Sequence, residues 1–445
     1  VPDKEKHRNG KAVFVPFVLG GEEIEAVLTE EKSGFARARV VEIVRPSAER
    51  MPPPCPHFER CGGCHYQHAN YETQLEIKKE ILRENLRRIA KIDLQTEIRV
   101  HASPALHYRN RSRLQIRTRP EFAAGYFKLA SHELLPVEQC PISSPLINRG
   151  IAALWQAGRA GKVPEGVREV EFFANTDAAG NEKQMLLEID CAPDARRGAV
   201  RSWAEELCAS LPGTSPEQSP DTPSEIAGVT AFREIKKSTH ERLAAVGAAD
   251  LTYQSGAGSW RVSAGSFFQT NRFLTDGLIE IVTAGRSGEI AIDLYAGVGL
   301  FSTALARSFQ QVIAVESSPT AARDLAYNLP ANGRAIQSEA EQYLSGKRAV
   351  RVGAGTSDTT DRPHGEAHEP DLIIVDPPRS GLGERCAAAL AGAKATRITY
   401  VSCDPATLAR DLLLLLAAGY GVEEIHLVDL FPQTYHMESV THLVR

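Results

Sequence analysis

The 445-residue sequence has no apolar run long enough to cross a membrane. Its longest, Leu412 to Val422, covers 11 residues, against roughly 20 for a spanning helix. No basic-then-apolar segment opens it, so no export leader is expected. It also has no basic excess. Fifty-one Lys and Arg against 56 Asp and Glu give a net charge of −5. That excludes a uniformly basic nucleic-acid coat protein and leaves room for a local basic groove. Eight cysteines are too sparse for a disulfide scaffold, and internal repeats are absent. What is present is ordinary globular composition, 42% hydrophobic and 24% charged, over a length suited to roughly two to four domains. The expected class is a soluble, cytoplasmic, multidomain protein.

The first fifty residues read as short strands, Lys11–Val18, Ile24–Leu28 and Phe35–Val44, with Gly20-Gly21 as a turn. Short strands with glycine turns suit a small antiparallel barrel or sandwich. Because the sequence starts at Val1 rather than Met, this unit is expected to lack a first strand. Pro52-Pro53-Pro54 forms a stiff linker into a cysteine cluster. Tyr71 to Ala90 follows as a helix, with Leu75, Ile81, Leu82, Leu86 and Ile89 on an apolar stripe. From Pro104 to Arg261 the pattern reads mostly as strands. Two polar stretches, Pro212–Glu225 and Gly353–Pro370, read as surface inserts. From Glu289 strands and helices alternate: strands Ile290–Leu294, Gln311–Val315, Leu372–Val375 and Arg397–Ser402, helices Leu300–Ser308 and Ala406–Ala418. Near-continuously apolar strands alternating with helices predict a doubly wound, Rossmann-like α/β sheet. Ligands bind such sheets at the carboxyl ends of their strands.

Three motifs fall at those ends. Asp293-Leu-Tyr295-Ala-Gly297-Val-Gly299 follows a strand and opens a helix. It is one glycine short of the dinucleotide fingerprint, and its leading acid suits the amino acid part of S-adenosylmethionine rather than NAD. Glu316, 19 residues after Gly297, is placed for ribose hydroxyls. Asp376-Pro-Pro-Arg379 gives a rigid acidic loop; the absence of an aromatic residue after the prolines argues for carbon rather than exocyclic-amine methylation. Cys403, in Ser402-Cys403-Asp404-Pro405, stands at a helix N-terminus, where the macrodipole is expected to favour thiolate. C5 of a pyrimidine is not nucleophilic on its own. A thiolate adding at C6 activates it, and a base must later remove the C5 proton. Glu438, in His436-Met-Glu438-Ser439, is the expected base. Taken singly, a strand-end cysteine or an exposed glutamate reads as packing or surface.

Cys55-x5-Cys61-x2-Cys64 lies in a Pro/Gly-rich loop, with Cys140 as a fourth candidate ligand. Four thiolates suit tetrahedral zinc or a [4Fe–4S] cluster, and spacing alone does not choose. Arg109, Arg111, Arg113, Arg117 and Arg119 all occupy odd positions. On a strand they project from one face, about 7 Å apart where they alternate, as phosphate contacts or simply as a solvated face.

These motifs occur in one order: Cys55 to Cys64, Phe267-Phe268-Gln269-Thr-Asn271, Asp293 to Gly299, Asp376-Pro-Pro-Arg, Ser402-Cys403 to Asp411, and Glu438-Ser439. The whole resembles the RNA 5-methyluridine methyltransferases, in the branch with an N-terminal TRAM domain and an iron–sulfur cluster. The resemblance implies Cys403 as nucleophile and Glu438 as base. It implies S-adenosylmethionine contacts from Gln269, Tyr295, Glu316 and Asp376, and uracil packing from Phe267; Arg109, Arg111 and Arg113 are the RNA contacts expected from the ladder. It implies a [4Fe–4S] cluster on Cys55, Cys61, Cys64 and Cys140 that shapes an RNA surface. Tyr295-Ala296 and Leu300 depart from the family pattern, and Leu300 leaves one cofactor contact unassigned. The expected domains are a TRAM-like unit at 1–50, a central cluster-bearing unit at 51–262 and a methyltransferase domain at 263–445. The favoured substrate is 23S ribosomal RNA, with transfer RNA as the alternative. RNA 5-methylcytidine formation is disfavoured because no second cysteine follows the Asp376 strand. A non-catalytic RNA-binding iron–sulfur protein is the reading from another class.

Overall fold

The computed structural model describes residues 11–94, 97–210, 224–236, 239–346, 350–352 and 369–445. The two polar inserts fall almost wholly outside them. The chain opens with β1 (Ala12–Phe14), β2 (Glu23–Glu31) and β3 (Phe35–Arg45), a three-stranded sheet in the order β1-β3-β2. The cysteine loop leads into α1 (Tyr71–Arg88), capped by Asn70, and into the short β4 (Arg99–His101).

A seven-stranded sheet follows. It holds β5 (Arg111–Arg117), β6 (Ala123–Phe127), β7 (Leu134–Pro136), β8 (Val167–Thr176), β9 (Glu182–Cys191), β10 (Ile226–Lys236) and β11 (Thr239–Gly247), in the order β11-β10-β9-β8-β5-β6-β7. Two helices interrupt the expected strands, α2 (Pro145–Arg159) and α3 (Arg197–Ser210). The first has a legible start: Ser144 caps Ile147 N and proline stands in the first turn. Leu146, Ile147, Ile151 and Leu154 fall on one side and are buried with Val170, Phe172 and Ile189 of the sheet. A hairpin, β12 (Asp250–Gln254) with β13 (Ser259–Ser263), leads to α4 (Thr275–Thr283).

The last sheet contains β14 (Gly288–Leu294), β15 (Phe309–Glu316), β16 (Gly333–Gln337), β17 (Val350–Val352), β18 (Leu372–Val375), β19 (Arg397–Ser402), β20 (Gly421–Val428) and β21 (Glu438–Val444). Helices α5 (Leu300–Leu305), α6 (Pro319–Asn328), α7 (Ala340–Leu344), α8 (Gly383–Gly392) and α9 (Pro405–Ala417) alternate with them. The order is β17-β16-β15-β14-β18-β19-β21-β20-β4. Strands β16, β15, β14, β18 and β19 are parallel, and β21 runs antiparallel between β19 and β20. The order reverses between β14 and β18, so their carboxyl ends flank the switch-point crevice. The α/β expectation holds. β4, from the expected central unit, is an edge strand of this sheet, and Leu82 and Leu86 of α1 lie in its core.

Candidate active site

At the end of β14 the chain turns through Tyr295, Gly297 and Gly299, with φ of 64°, 56° and 95°. A side chain at Gly297 would meet nothing within 4 Å, so the glycine answers the left-handed backbone and leaves an open face for a ligand. Glu316, at the end of β15, accepts Gly297 N at 2.9 Å and Ser318 N at 2.7 Å, which fixes its carboxylate beside the turn. Asp293 is fully buried. Its Oδ2 accepts the Ser302 hydroxyl, and its Oδ1 has no partner. Burial pushes its pKa up to about 7, with the Glu316 charge adding to the rise. Asp376, at the end of β18, is likewise raised to about 7 by burial and by Asp293. An open glycine turn, a poised carboxylate and an orphaned buried oxygen fit an S-adenosyl cofactor, which carries ribose hydroxyls and an ammonium.

The nucleophile and base candidates meet through strand register. Ser402 of β19 pairs with Ser439 of β21, and Ser439 Oγ donates to Ser402 O at 3.2 Å. Continuing that antiparallel register sets Cys403 opposite Glu438. Burial pushes the Cys403 thiol up to about 11, with the Glu438 and Asp376 charges adding to the rise and Arg379 and a backbone hydrogen bond opposing it. This corrects the expectation of a thiolate favoured by the helix. Asp404 caps α9 and accepts Ala406 N at 3.0 Å and Thr407 N at 2.9 Å, so the donors that would face Cys403 are taken. Glu438 is buried, its Oε1 has no partner, and burial with Asp376 raises its pKa well above the carboxylate range.

Arg379 was read in the sequence only as the absence of an aromatic residue, yet it is the cation opposing the raised pKa of both groups. Helix α9 braces its loop. Thr407 Oγ1 donates to Arg379 O at 3.2 Å, Arg410 Nη2 to Ser380 O at 2.8 Å, and Leu382 N to the buried Asp411 at 2.7 Å. Phe267 is 60% exposed, available to a planar ligand, while its neighbour Phe268 is core. Gln269 is buried. Asn271 ties this segment to Ser103 and to Leu430 O.

The arginine ladder is corrected in its role. Only 111–117 is strand. Arg111 is held by Glu171 at 3.1 Å, Ser266 O at 2.8 Å and the Phe173 ring at 4.8 Å. Arg113 is paired with Glu171 at 2.7 Å. Arg109 turns instead to the cysteines. Cys55, Cys61, Cys64, Cys140 and Arg109 line one cavity of about 50 Å³. Burial raises the thiol of Cys55, that of Cys61 to about 11 and that of Cys64 to about 12. Four thiols facing one cavity beside an arginine fit a metal group that stabilises thiolates.

Among the described residues, one set of three His, Cys, Asp or Glu ligand atoms comes within 4.8 Å, that of Glu424, His426 and His442. The His set is a hydrogen-bond network. His442 uses both nitrogens, on Thr399 Oγ1 and Ile281 O, and His426 binds His101 of β4 at 2.9 Å.

The doubly wound sheet, the open glycine turn and the cysteine–glutamate pair at its rim define a Rossmann-like methyltransferase. A sequence model of the tRNA (Uracil-5-)-methyltransferase family matches 248–445. An uncharacterized RNA methyltransferase of Aquifex aeolicus is 32% identical over 97% of this chain and 93% of its own length. The 23S rRNA (uracil(1939)-C(5))-methyltransferase of Chromohalobacter salexigens is 32% identical over 98% of this chain and 85% of its own. The crystal structure of the Pyrococcus abyssi tRNA (uracil-54, C5)-methyltransferase with S-adenosyl-L-homocysteine superposes with a TM-score of 0.69 at 24% identity, covering 98% and 96% of the two chains. The chain belongs to the RNA (uracil-5-)-methyltransferase family, whose members are S-adenosylmethionine-dependent enzymes.

Proposed function

We propose that the chain makes 5-methyluridine in 23S ribosomal RNA, with Cys403 as nucleophile and Glu438 as release base. The observation that carries this reading is the Ser402–Ser439 pairing, which sets the two side chains across adjacent strands at the rim. Cys403 gives its proton to solvent water and adds to uracil C6, leaving an enolate across C4 and C5. S-adenosylmethionine, when bound, supplies the methyl group that C5 takes up. Glu438, in its ionised form, then removes the C5 proton, and the electrons of that C–H bond expel the Cys403 thiolate and restore the 5,6 double bond. Tyr295, Glu316, Asp376 and Gln269 are the proposed cofactor contacts, and exposed Phe267 the surface on which uracil packs. A base buried in a duplex is out of reach, so the target uridine is single-stranded or flipped out. Cys55, Cys61, Cys64 and Cys140 are proposed to hold a [4Fe–4S] cluster, supported by the one cavity that all four line. The 23S choice is supported by the C. salexigens relative, similar along nearly the whole chain.

The test is anaerobic purification of Glu438→Gln, incubation with S-adenosylmethionine and total RNA, and sequencing of the RNA that stays bound after denaturation. A uridine adduct from 23S RNA, lost in Glu438→Gln/Cys403→Ser, is the expected outcome. An adduct on transfer RNA would move the substrate; no adduct beside an active wild type would remove Glu438 as base.

A further inference from the structure

The segment that leads into Glu438 does not hang from its own sheet. Pro432 O accepts the hydroxyl of Tyr108 at 3.0 Å. Gln433 O accepts His65 N at 2.8 Å and Tyr66 N at 3.0 Å, both directly after Cys64. Gln433 N donates to Gln74 of α1 at 2.9 Å, and Gln74 Nε2 donates to Gln433 Oε1 at 3.0 Å. Gln433 has φ of 69°, a conformation that a non-glycine residue keeps where its surroundings over-determine it. The ring of Tyr108 is fully buried. It belongs to one small apolar cluster with Phe58, Cys64 and Ile142, against which Cys55 and Cys140 pack. One side chain thus has its ring among the cysteines and its hydroxyl on the backbone that carries the base. The cofactor turn has other supports: Asp293, Ala296 and Gly297 bond to Ser302, Val315 O and Glu316.

We infer that Tyr108 and the four-cysteine loop are the positioning device of the release base, so that a metal group on the cysteines governs proton removal and not cofactor binding. The inference rests on the reading of Glu438 as base. A displacement of about 1 Å in a catalytic group costs on the order of a hundredfold in its step, and among the described residues these contacts, with Gln433 Nε2 donating to Ala105 O at 3.5 Å, are the hydrogen bonds that hold Pro432 and Gln433.

Tyr108→Phe keeps the ring and removes the donor. In the metal-loaded protein, S-adenosylmethionine affinity and single-turnover methyl incorporation into RNA are expected within about twofold of wild type. Release of methylated RNA slows at least tenfold, so the covalent adduct accumulates as in Glu438→Gln. Adduct in Glu438→Gln but not in Tyr108→Phe overturns the link and leaves the base assignment standing. No adduct in either overturns the base assignment and the link with it. Hydrogen exchange on the unmutated protein, before and after chelation of the metal, is the second measurement. Protection is expected to fall at 433–438 while 293–299 is unchanged; equal loss at both, or none at 433–438, overturns the inference.

Discussion

Cys403 stands one residue before a helix N-terminus and still has a thiol pushed up to about 11, first by burial and then by the Glu438 and Asp376 charges, while Asp404 occupies the first helix amides. The free protein is therefore expected to hold Cys403 protonated at neutral pH. Alkylation of Cys403 by iodoacetamide is expected to rise about tenfold per pH unit from 7 to beyond 9 without a plateau; a plateau below pH 8 would show a stabilised thiolate. Arg379→Leu removes the one opposing cation and is expected to slow alkylation further at every pH. Asp293 illustrates the sign of a buried acid. Its folded value of about 7 lies above the ~3.9 of an unfolded aspartate, so the neutral form is the one the fold favours. Its contribution is complete below pH 4 and is lost as pH rises to 7, by up to about 4 kcal/mol at 1.36 per unit. Asp293→Asn is expected to flatten the fall in melting temperature between pH 5 and pH 8; an unchanged profile would remove Asp293 as its source.

Among the elements, α1 braces the segment beside the site from more than three hundred residues away in sequence. Lys78 and Asp429 form a fully buried ion pair at 2.6 Å, joined by Phe431 O and the Tyr71 hydroxyl. This ties the helix to the segment after β20. Burial lowers the Lys78 pKa and Asp429 raises it. Removing one partner leaves a buried charge, so Lys78→Met is expected to cost about 3–5 kcal/mol in denaturant unfolding. Lys78→Met/Asp429→Leu is expected to regain most of that stability while still releasing product slowly, because the polar anchor is gone. Full activity in a stable double variant would show that the pair serves stability alone.

For the whole molecule, the charge of −5 is distributed so that the conspicuous arginines of β5 neutralise its own acids. Arg113→Gln is expected to leave the salt dependence of RNA binding unchanged, because its guanidinium is occupied by Glu171. A phosphate contact would lower the slope of log Kd against log salt by about 1. The N-terminal, seven-stranded and last sheets are joined around the rim of the last one by the cysteine loop, α1 and β4, so the segment leading into the Glu438 strand is supported by residues more than three hundred positions earlier.

The alternation of apolar strands and helices after Glu289 determined the doubly wound sheet, because buried parallel strands demand continuous apolar runs and glycines must mark their ligand-side turns. The motifs at Asp293, Asp376 and Cys403 were legible for the same reason, each standing at the end of such a run. Helices α2 and α3 were missed where strands surround them and neighbouring propensities compete. The arginine ladder misled because alternation shows which side chains share a face, while only the neighbouring strand shows that Glu169 and Glu171 wait on it. Cys403 misled because burial and the neighbouring carboxylates, which only the tertiary structure supplies, outweigh the helix N-terminus beside it. Register, burial and long-range hydrogen bonds belong to the tertiary structure: the opposition of Cys403 and Glu438, and the suspension of Gln433 from the cysteine loop, exist only once distant segments share a low-dielectric interior.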